Sequence, residues 1–454
     1  MWFFVLHDRG ILMGSSASLS DVSEIMRRQG AEKVIFKMLA NNDNSKQQIY
    51  FGSDFKILRN IPSGDIYESG YSEKKGAIFK ANVPLSWIDL SGNIEAANGS
   101  QFILYPKYPE VRLSGFVRGC SLAPSHLMQP PSREEREERN TKSLSRCLVL
   151  GIRKDSVLAY VSAWNDQLSA EAAERIQSGE SELFTSVFYE YSDGFTALSS
   201  REKLIQRLTE VHRMGFVESC RLDREGARIP YVAQNGAGFT LESFFGITPN
   251  GRSEPDFMDW ELKAHSSGPV TLMTPEPDTG SYLECLSTFL DTYGTSRSDS
   301  KKNFASIHRM NELNPKSSLT MQLTGYNADK GEITDPKGGM MLYDAQGNVA
   351  AGWSFQKLLN HWKRKHANTC YVSYEKKPES VPLYSYGPEI RLCRGAGIRN
   401  YLLALSSSVI YYDPGINEKK LKDGSWKPKK RNQFRIKWKD IPSIYDETEE
   451  LILR

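Results

Sequence analysis

Ser253-Glu254-Pro255-Asp256-Phe257-Met258-Asp259-Trp260-Glu261-Leu262-Lys263-Ala264-His265 sets an Asp, a Glu and a Lys at the spacing Asp-x4-Glu-x-Lys. Strand side chains alternate faces. As a strand, this stretch turns Trp260 and Leu262 toward a core and puts Glu261 and Lys263 together on the opposite face. Asp256 then arrives from the adjoining turn. Two carboxylates and an ammonium on one small surface suit a divalent cation, which takes hard oxygen ligands. Such an ion, on Asp256 and Glu261, polarises a phosphate and activates a water, with Lys263 beside it. That is the chemistry of a metal-dependent phosphodiesterase. The plainer account of the same residues is a solvated strand face with a paired Glu and Lys.

Immediately upstream, Gln234-Asn235-Gly236-Ala237-Gly238-Phe239-Thr240-Leu241-Glu242-Ser243-Phe244-Phe245-Gly246 reads as a flexible glycine entry, a short helix from about Thr240, and a stop at Gly246. Glu242 on that helix is either a fourth member of the catalytic set or a first-turn carboxylate favoured by the helix dipole.

The whole chain has 454 residues, enough for two or three domains. Its net charge of +3 excludes a general polycation, so any nucleic-acid surface must come from local clustering. The six cysteines are far apart without a CxxC pair, which argues against a structural zinc and suits a reducing cytoplasm. The apolar start, Met1 to Leu6, is too short for a signal peptide and reads as a first strand. No apolar run approaches the roughly 20 residues of a membrane span.

Between Lys33 and Trp164 the chain reads as a helix-poor series of short strands: 34–39, 48–51, 77–81, 101–105, 147–152 and 157–161, with one helix before them at about 19–29. The run Pro130 to Arg139 reads as an exposed charged loop. A helix is expected over 168–176 and another over 201–212, with the domain boundary near 190. A further helix, Trp353 to Lys365, shows a basic face that includes Lys357, Lys363 and Arg364. The strongest basic cluster is Lys419 to Lys439, with Lys430, Arg431 and Arg435 among interleaved aromatics, and it suits phosphate neutralisation. The plainer account of its first half is a disordered basic loop around Pro428.

Two resemblances follow. Gly246 to His265, then Thr271-Leu272-Met273-Thr274-Pro275, Trp353-Ser354-Phe355, Cys370-Tyr371-Val372-Ser373 and Asn432-Gln433-Phe434-Arg435-Ile436, look in order and separation like the core of the MvaI/BcnI restriction endonucleases. These are PD-(D/E)xK nucleases with a MutH-like fold. The resemblance implies Mg²⁺ held by Asp256 and Glu261, with Asp256 favoured over Asp259. It also implies catalytic roles for Lys263 and Glu242, and a base contact from Arg435 with Arg431 and Lys430 nearby. Lys37 to Tyr50 and Pro109 to Leu113 resemble the two DNA-gripping arms of the EcoRII N-terminal domain, a B3-like pseudobarrel. Carried over, Lys46, Gln48 and Tyr50 lie on the first arm and Glu110 and Arg112 on the second. Tyr108 and Val111 stand where that family has positive charge.

The expectation is a multidomain chain: an N-terminal all-β, B3-like DNA-binding domain over 1–190 and a C-terminal α/β MutH-like PD-(D/E)xK nuclease domain over 191–454. The resemblance implies a cytoplasmic, monomeric type II restriction endonuclease. It would cut double-stranded DNA at CCWGG with Mg²⁺, alongside a methyltransferase that protects the same site. The alternatives are a MutH-like nicking enzyme and a catalytically silent DNA-binding protein.

Overall fold

The structure is a computed structural model that describes residues 17–53, 55, 57–108, 110–192, 199–249, 255–266, 268–363 and 368–454. The expected first strand, the junction at 193–198 and Arg364 to His366 lie outside them.

The N-terminal part is built on two sheets. One has seven strands in the order Leu183–Thr185, Phe188–Glu190, Lys33–Leu39, Arg146–Ile152, Val157–Val161, Leu85–Ile88, Ile94–Ala96. The other has five: Ile49–Gly52, Glu110–Ser114, Gln101–Tyr105, Gly76–Asn82, Tyr67–Ser72. Along Lys33–Leu39 the side chains alternate between two cores. Ile35 joins Phe51, Phe79, Phe102, Leu148 and Leu150 between the sheets. Val34 and Phe36 join Leu19, Val22, Met26 and Leu168 under two helices, Leu19–Arg28 and Gln167–Ser178. Both faces are buried, which is why these strands read as continuous apolar runs. The region is therefore β-rich with a helical cover on one face, rather than all-β.

The charged run expected as a loop is a helix, Arg133–Thr141. Ser132 and Glu135 form a reciprocal capping box, and none of the helix's residues is buried. Capping and Arg133–Glu137 pairing at i,i+4 hold it without a packed face.

In the C-terminal part the strand Trp260–His265 is, among the described residues, an edge of a five-stranded sheet ordered Val217–Glu218, Leu383–Arg394, Asn368–Lys377, Trp260–His265, with Glu447–Ile452 also paired to Leu383–Arg394. It runs parallel to Asn368–Lys377. The helices Ser200–Arg213 and Gly236–Phe244 cover one face, and Leu204, Leu208, Leu241 and Phe244 pack there with Trp260 and Leu262. The glycines at 236 and 238 are the first turn of that second helix, not a flexible entry to it. A Cβ on Gly236 would stand 2.6 Å from Ser219 Oγ and 3.0 Å from Tyr384 Oη, so this glycine permits close helix-to-sheet packing.

Two further expectations are corrected. Trp353 and Ser354 end a strand, Val349–Ser354, and the helix is Phe355–Lys363. Ser354 Oγ accepts from Lys357 N at 3.1 Å and so caps it. The stretch around Pro428 is not a loop but the strand Trp426–Lys429, which forms a hairpin with Ile416–Lys420 and places Pro428 opposite Glu418.

The helix Phe355–Lys363 joins the two parts of the chain. Its Leu358, Leu359 and Trp362 share one apolar cluster with Ile57, Leu58, Ile61 and Ile66. Asn360 Oδ1 accepts from Ile66 N at 2.6 Å and its Nδ2 donates to Ile66 O at 2.7 Å. Lys363 Nζ donates to the carbonyls of Ser63 and Gly64, each at 2.8 Å. Of the residues on this helix's basic face, Lys363 is thus used inside the protein.

Candidate active site

The strand Trp260–His265 places its residues as alternation requires. Trp260 and Leu262 are buried, at 1% and 4% exposure, and anchor the strand. On the opposite face Lys263 Nζ donates to Glu261 Oε1 at 3.1 Å, with both side chains about a fifth exposed (21% and 17%). The parallel register sets Thr369 beside Glu261 and Tyr371 beside Lys263. The Tyr371 and Tyr445 hydroxyls are 3.1 Å apart, and Tyr445 donates to Thr369 Oγ1 at 2.9 Å. Burial holds both phenols above their ordinary range, so this floor under the ion pair stays neutral.

Asp256 comes from the turn before the strand. Its Oδ2 accepts from Leu262 N at 2.7 Å, which fixes the carboxylate against the strand. Asp259, inside the turn, faces elsewhere: its Oδ2 accepts from Asn368 Nδ2 at 2.8 Å. Met258 has φ +55°, and Phe257 and Trp260 exchange backbone hydrogen bonds across this two-residue turn.

Glu242 sits in the last turn of Gly236–Phe244 rather than the first, so the dipole no longer explains it. Ile247 N donates to Glu242 O at 3.1 Å around Gly246, whose φ is +74°, so the helix end is fixed there. The carboxyl is pushed up to about 7, first by burial, then by Asp256 and Glu261, with Lys263 opposing. The structure thus brings Asp256, Glu261, Lys263 and Glu242 into one electrostatic neighbourhood. Among the described residues, no three His, Cys, Asp or Glu side chains are gathered into a ready-made metal shell. The donor chemistry nonetheless fits a hard divalent cation. After burial, the Asp256 and Glu261 carboxylates push the Glu242 carboxyl up, and Lys263 opposes them there.

The expected DNA contacts fall in two places. In the N-terminal part Tyr50 and Arg112 are directly opposed on paired strands. Lys46 is exposed in the loop before Tyr50, and Gln48 is half-buried, with its backbone N–H on Asn44. Glu110 is clamped between Lys75 Nζ at 3.0 Å and Arg112 at 3.1 Å. Sequence reading missed Lys75, which comes from the turn between Tyr67–Ser72 and Gly76–Asn82 and also lies over the rings of Tyr105 and Tyr108. Lys107 lies against Gly76 in the same place. No signal along the sequence ties that turn to residues 105–112; only the pairing of Gly76–Asn82 with Gln101–Tyr105 does.

In the C-terminal part Arg435 donates to Asp413 Oδ2 at 2.7 Å and to Pro269 O at 2.9 Å, so its guanidinium is held within the protein. Arg431 is exposed and lies against Gly415. Lys430 Nζ is 3.8 Å from Glu276.

A carboxylate–lysine strand with the Glu242 carboxyl in the same electrostatic neighbourhood suits a metal-dependent phosphodiester hydrolase. The MvaI/BcnI restriction endonuclease family matches residues 205–445, a little over half of the chain, and the chain belongs to that family. Similar solved structures are "Restriction endonuclease MvaI-cognate DNA substrate complex", with TM-score 0.44, and "Restriction endonuclease MvaI in the absence of DNA", with TM-score 0.34. Each is 17% identical over 57% of this chain and 100% of that one. No curated protein matches the chain. Among the described residues, no helix is long and apolar enough to cross a membrane.

Proposed function

We propose that the chain is a type II restriction endonuclease that hydrolyses double-stranded DNA at CCWGG with Mg²⁺, as a cytoplasmic monomer beside a methyltransferase of the same specificity. The observation that carries this reading is the Glu261–Lys263 pair at 3.1 Å, with Asp256 fixed 2.7 Å from the intervening Leu262 N–H, in a chain of this family. Asp256 and Glu261 would hold the ion. When bound, it supplies Lewis-acid polarisation of the scissile phosphate and a more acidic water. Lys263 orients the attacking water and steadies the charge that develops, and the product carries a 5′-phosphate. Glu242, pushed up to about 7, is suited to take a proton from the water network near neutrality.

The N-terminal sheets would bind DNA as an EcoRII-like, B3-like domain, through Lys46, Gln48, Tyr50, Glu110 and Arg112. This combination is similar to the UbaLAI endonuclease. Arg431 and Lys430 would meet phosphates beside the nuclease site, and Arg435 would reach a base after exchanging its partners.

The test is cleavage of a plasmid with a single CCWGG site in Mg²⁺, comparing the unaltered protein with Lys263→Ala. Linearisation lost in the variant, with DNA binding kept, is the expected result. Nicking without linearisation would replace this reading with a MutH-like one. Binding without cleavage by either protein would leave a silent DNA-binding protein.

A further inference from the structure

Beside the basic residue Lys430 the nuclease part holds a carboxylate, Glu276, that is fixed by more than the ion pair. Glu276 follows the strand Val270–Met273, and its side chain is 42% exposed beside Lys430. Two donors hold it. Tyr282 Oη donates to Oε2 at 2.6 Å, and Asn432 Nδ2 donates to Oε1 at 3.0 Å. Both donors are buried, at 3% and 1% exposure. Asn432 is itself fixed, because Tyr412 Oη donates to its Oδ1 at 2.6 Å. That bond leaves only the amide –NH₂ to face the carboxylate. Burial and Glu276 keep the Tyr282 hydroxyl protonated, so it remains a donor.

The result is a carboxylate oriented by two buried side chains, with part of the group still exposed at the surface. A solubilising glutamate needs no such support. A carboxylate on a phosphate-binding surface also costs affinity for DNA unless something in the DNA donates to it. Base edges supply such a donor: the exocyclic amino group of cytosine presents N–H toward the major groove, and Glu accepts from it.

We propose that Glu276 is a specificity residue that accepts a hydrogen bond from a cytosine N4 amino group of the target. Tyr282 and Asn432 are the residues that position it. The inference rests on the reading of this part as a site-specific nuclease.

The experiment measures kcat/KM on oligonucleotide duplexes in which each target cytosine is replaced, one at a time, by pyrimidin-2-one, which lacks the amino group. The unaltered full-length protein and Glu276→Ala, which has no side-chain acceptor, are compared on every duplex. At one position the unaltered protein should lose about tenfold or more in rate, whereas Glu276→Ala should be nearly indifferent to the same replacement. Tyr282→Phe, which keeps the ring but frees the carboxylate to turn, should lose part of that discrimination while still cleaving. Equal sensitivity of the unaltered protein and Glu276→Ala at every cytosine would overturn the proposal. So would a uniform loss on all duplexes accompanied by a lowered melting temperature, since that is the behaviour of a purely structural network. Absence of cleavage by the unaltered protein on any duplex would instead sink the nuclease reading, a distinct failure.

Discussion

Replacing Asn360 by Ala should loosen the contact between the two parts of the chain by an amount that can be worked out beforehand. The Asn360 amide satisfies both polar groups of the Ile66 backbone, at 2.6 and 2.7 Å, where the Ile66 side chain is 1% exposed. A hydrogen bond contributes about 0.5–1.5 kcal/mol net, and a buried group left unpaired costs about 1–3 kcal/mol. Two such groups lose their partner together. Water can reach some of this part-buried position, so the expected loss is about 2–4 kcal/mol rather than the sum of two dry penalties. Urea unfolding followed by tryptophan fluorescence reads it, because Trp87 and Trp353 lie in the cluster that spans the contact and Trp362 lies at the contact itself. The midpoint should fall, and the single transition expected of a shared core should broaden or divide. Gln356→Ala serves as the control, since its one bond to Glu68 N, at 3.2 Å, is exposed and should cost under about 1 kcal/mol. An Asn360→Ala midpoint equal to that of the unaltered protein would refute the reasoning. It would mean that this interface contributes nothing to the fold's cooperativity.

Three other outcomes are expected. His308, buried and 2.8 Å from Ser317 Oγ, is pulled down to about 4 by burial, so the unfolded chain takes up a proton at higher pH than the folded one does. Its contribution is fully present above about 6.5 and is lost as pH falls toward about 4, by on the order of 3 kcal/mol; His308→Gln should flatten that limb in urea midpoints taken against pH. Gly236→Ala should cost about 1–3 kcal/mol, read by thermal melting, because the new methyl meets Ser219 and Tyr384. Lys75→Ala should weaken DNA binding by the full chain and lower the slope of log affinity against log salt by about one; an unchanged slope would place Lys75 in a purely internal role.

The strand at the centre of the candidate site was legible because it rests on alternation. Trp260, Glu261, Leu262 and Lys263 declare their faces by residue type alone, and the strand Trp260–His265 follows. Asn368 was not legible: it holds Asp259 from 109 positions away, a pairing set by sheet order and not by any local pattern. The glycines at 236 and 238 misled for a related reason. Glycine signals a break when only propensity is considered, but at Gly236 the missing Cβ serves a close approach that propensity does not describe. The run 133–141 misled in the opposite sense, since a helix with no buried face shows no periodicity to detect. Arg435 was chosen for its charge and its place in a basic run, yet its partner Asp413 comes from a neighbouring strand's end.

Among the described residues, the strand that carries Glu261 and Lys263 is the rim of its sheet. Rims are hazards, because an unpaired backbone invites a strand from another molecule. Asp256 occupies one of these open amides, Leu262 N. The same carboxylate therefore guards the protein against self-association. Removing Asp256 should therefore make a stickier protein, whatever it does to cleavage. Under the mechanism proposed above, an inactive form is better made at Lys263, whose loss leaves the rim closed.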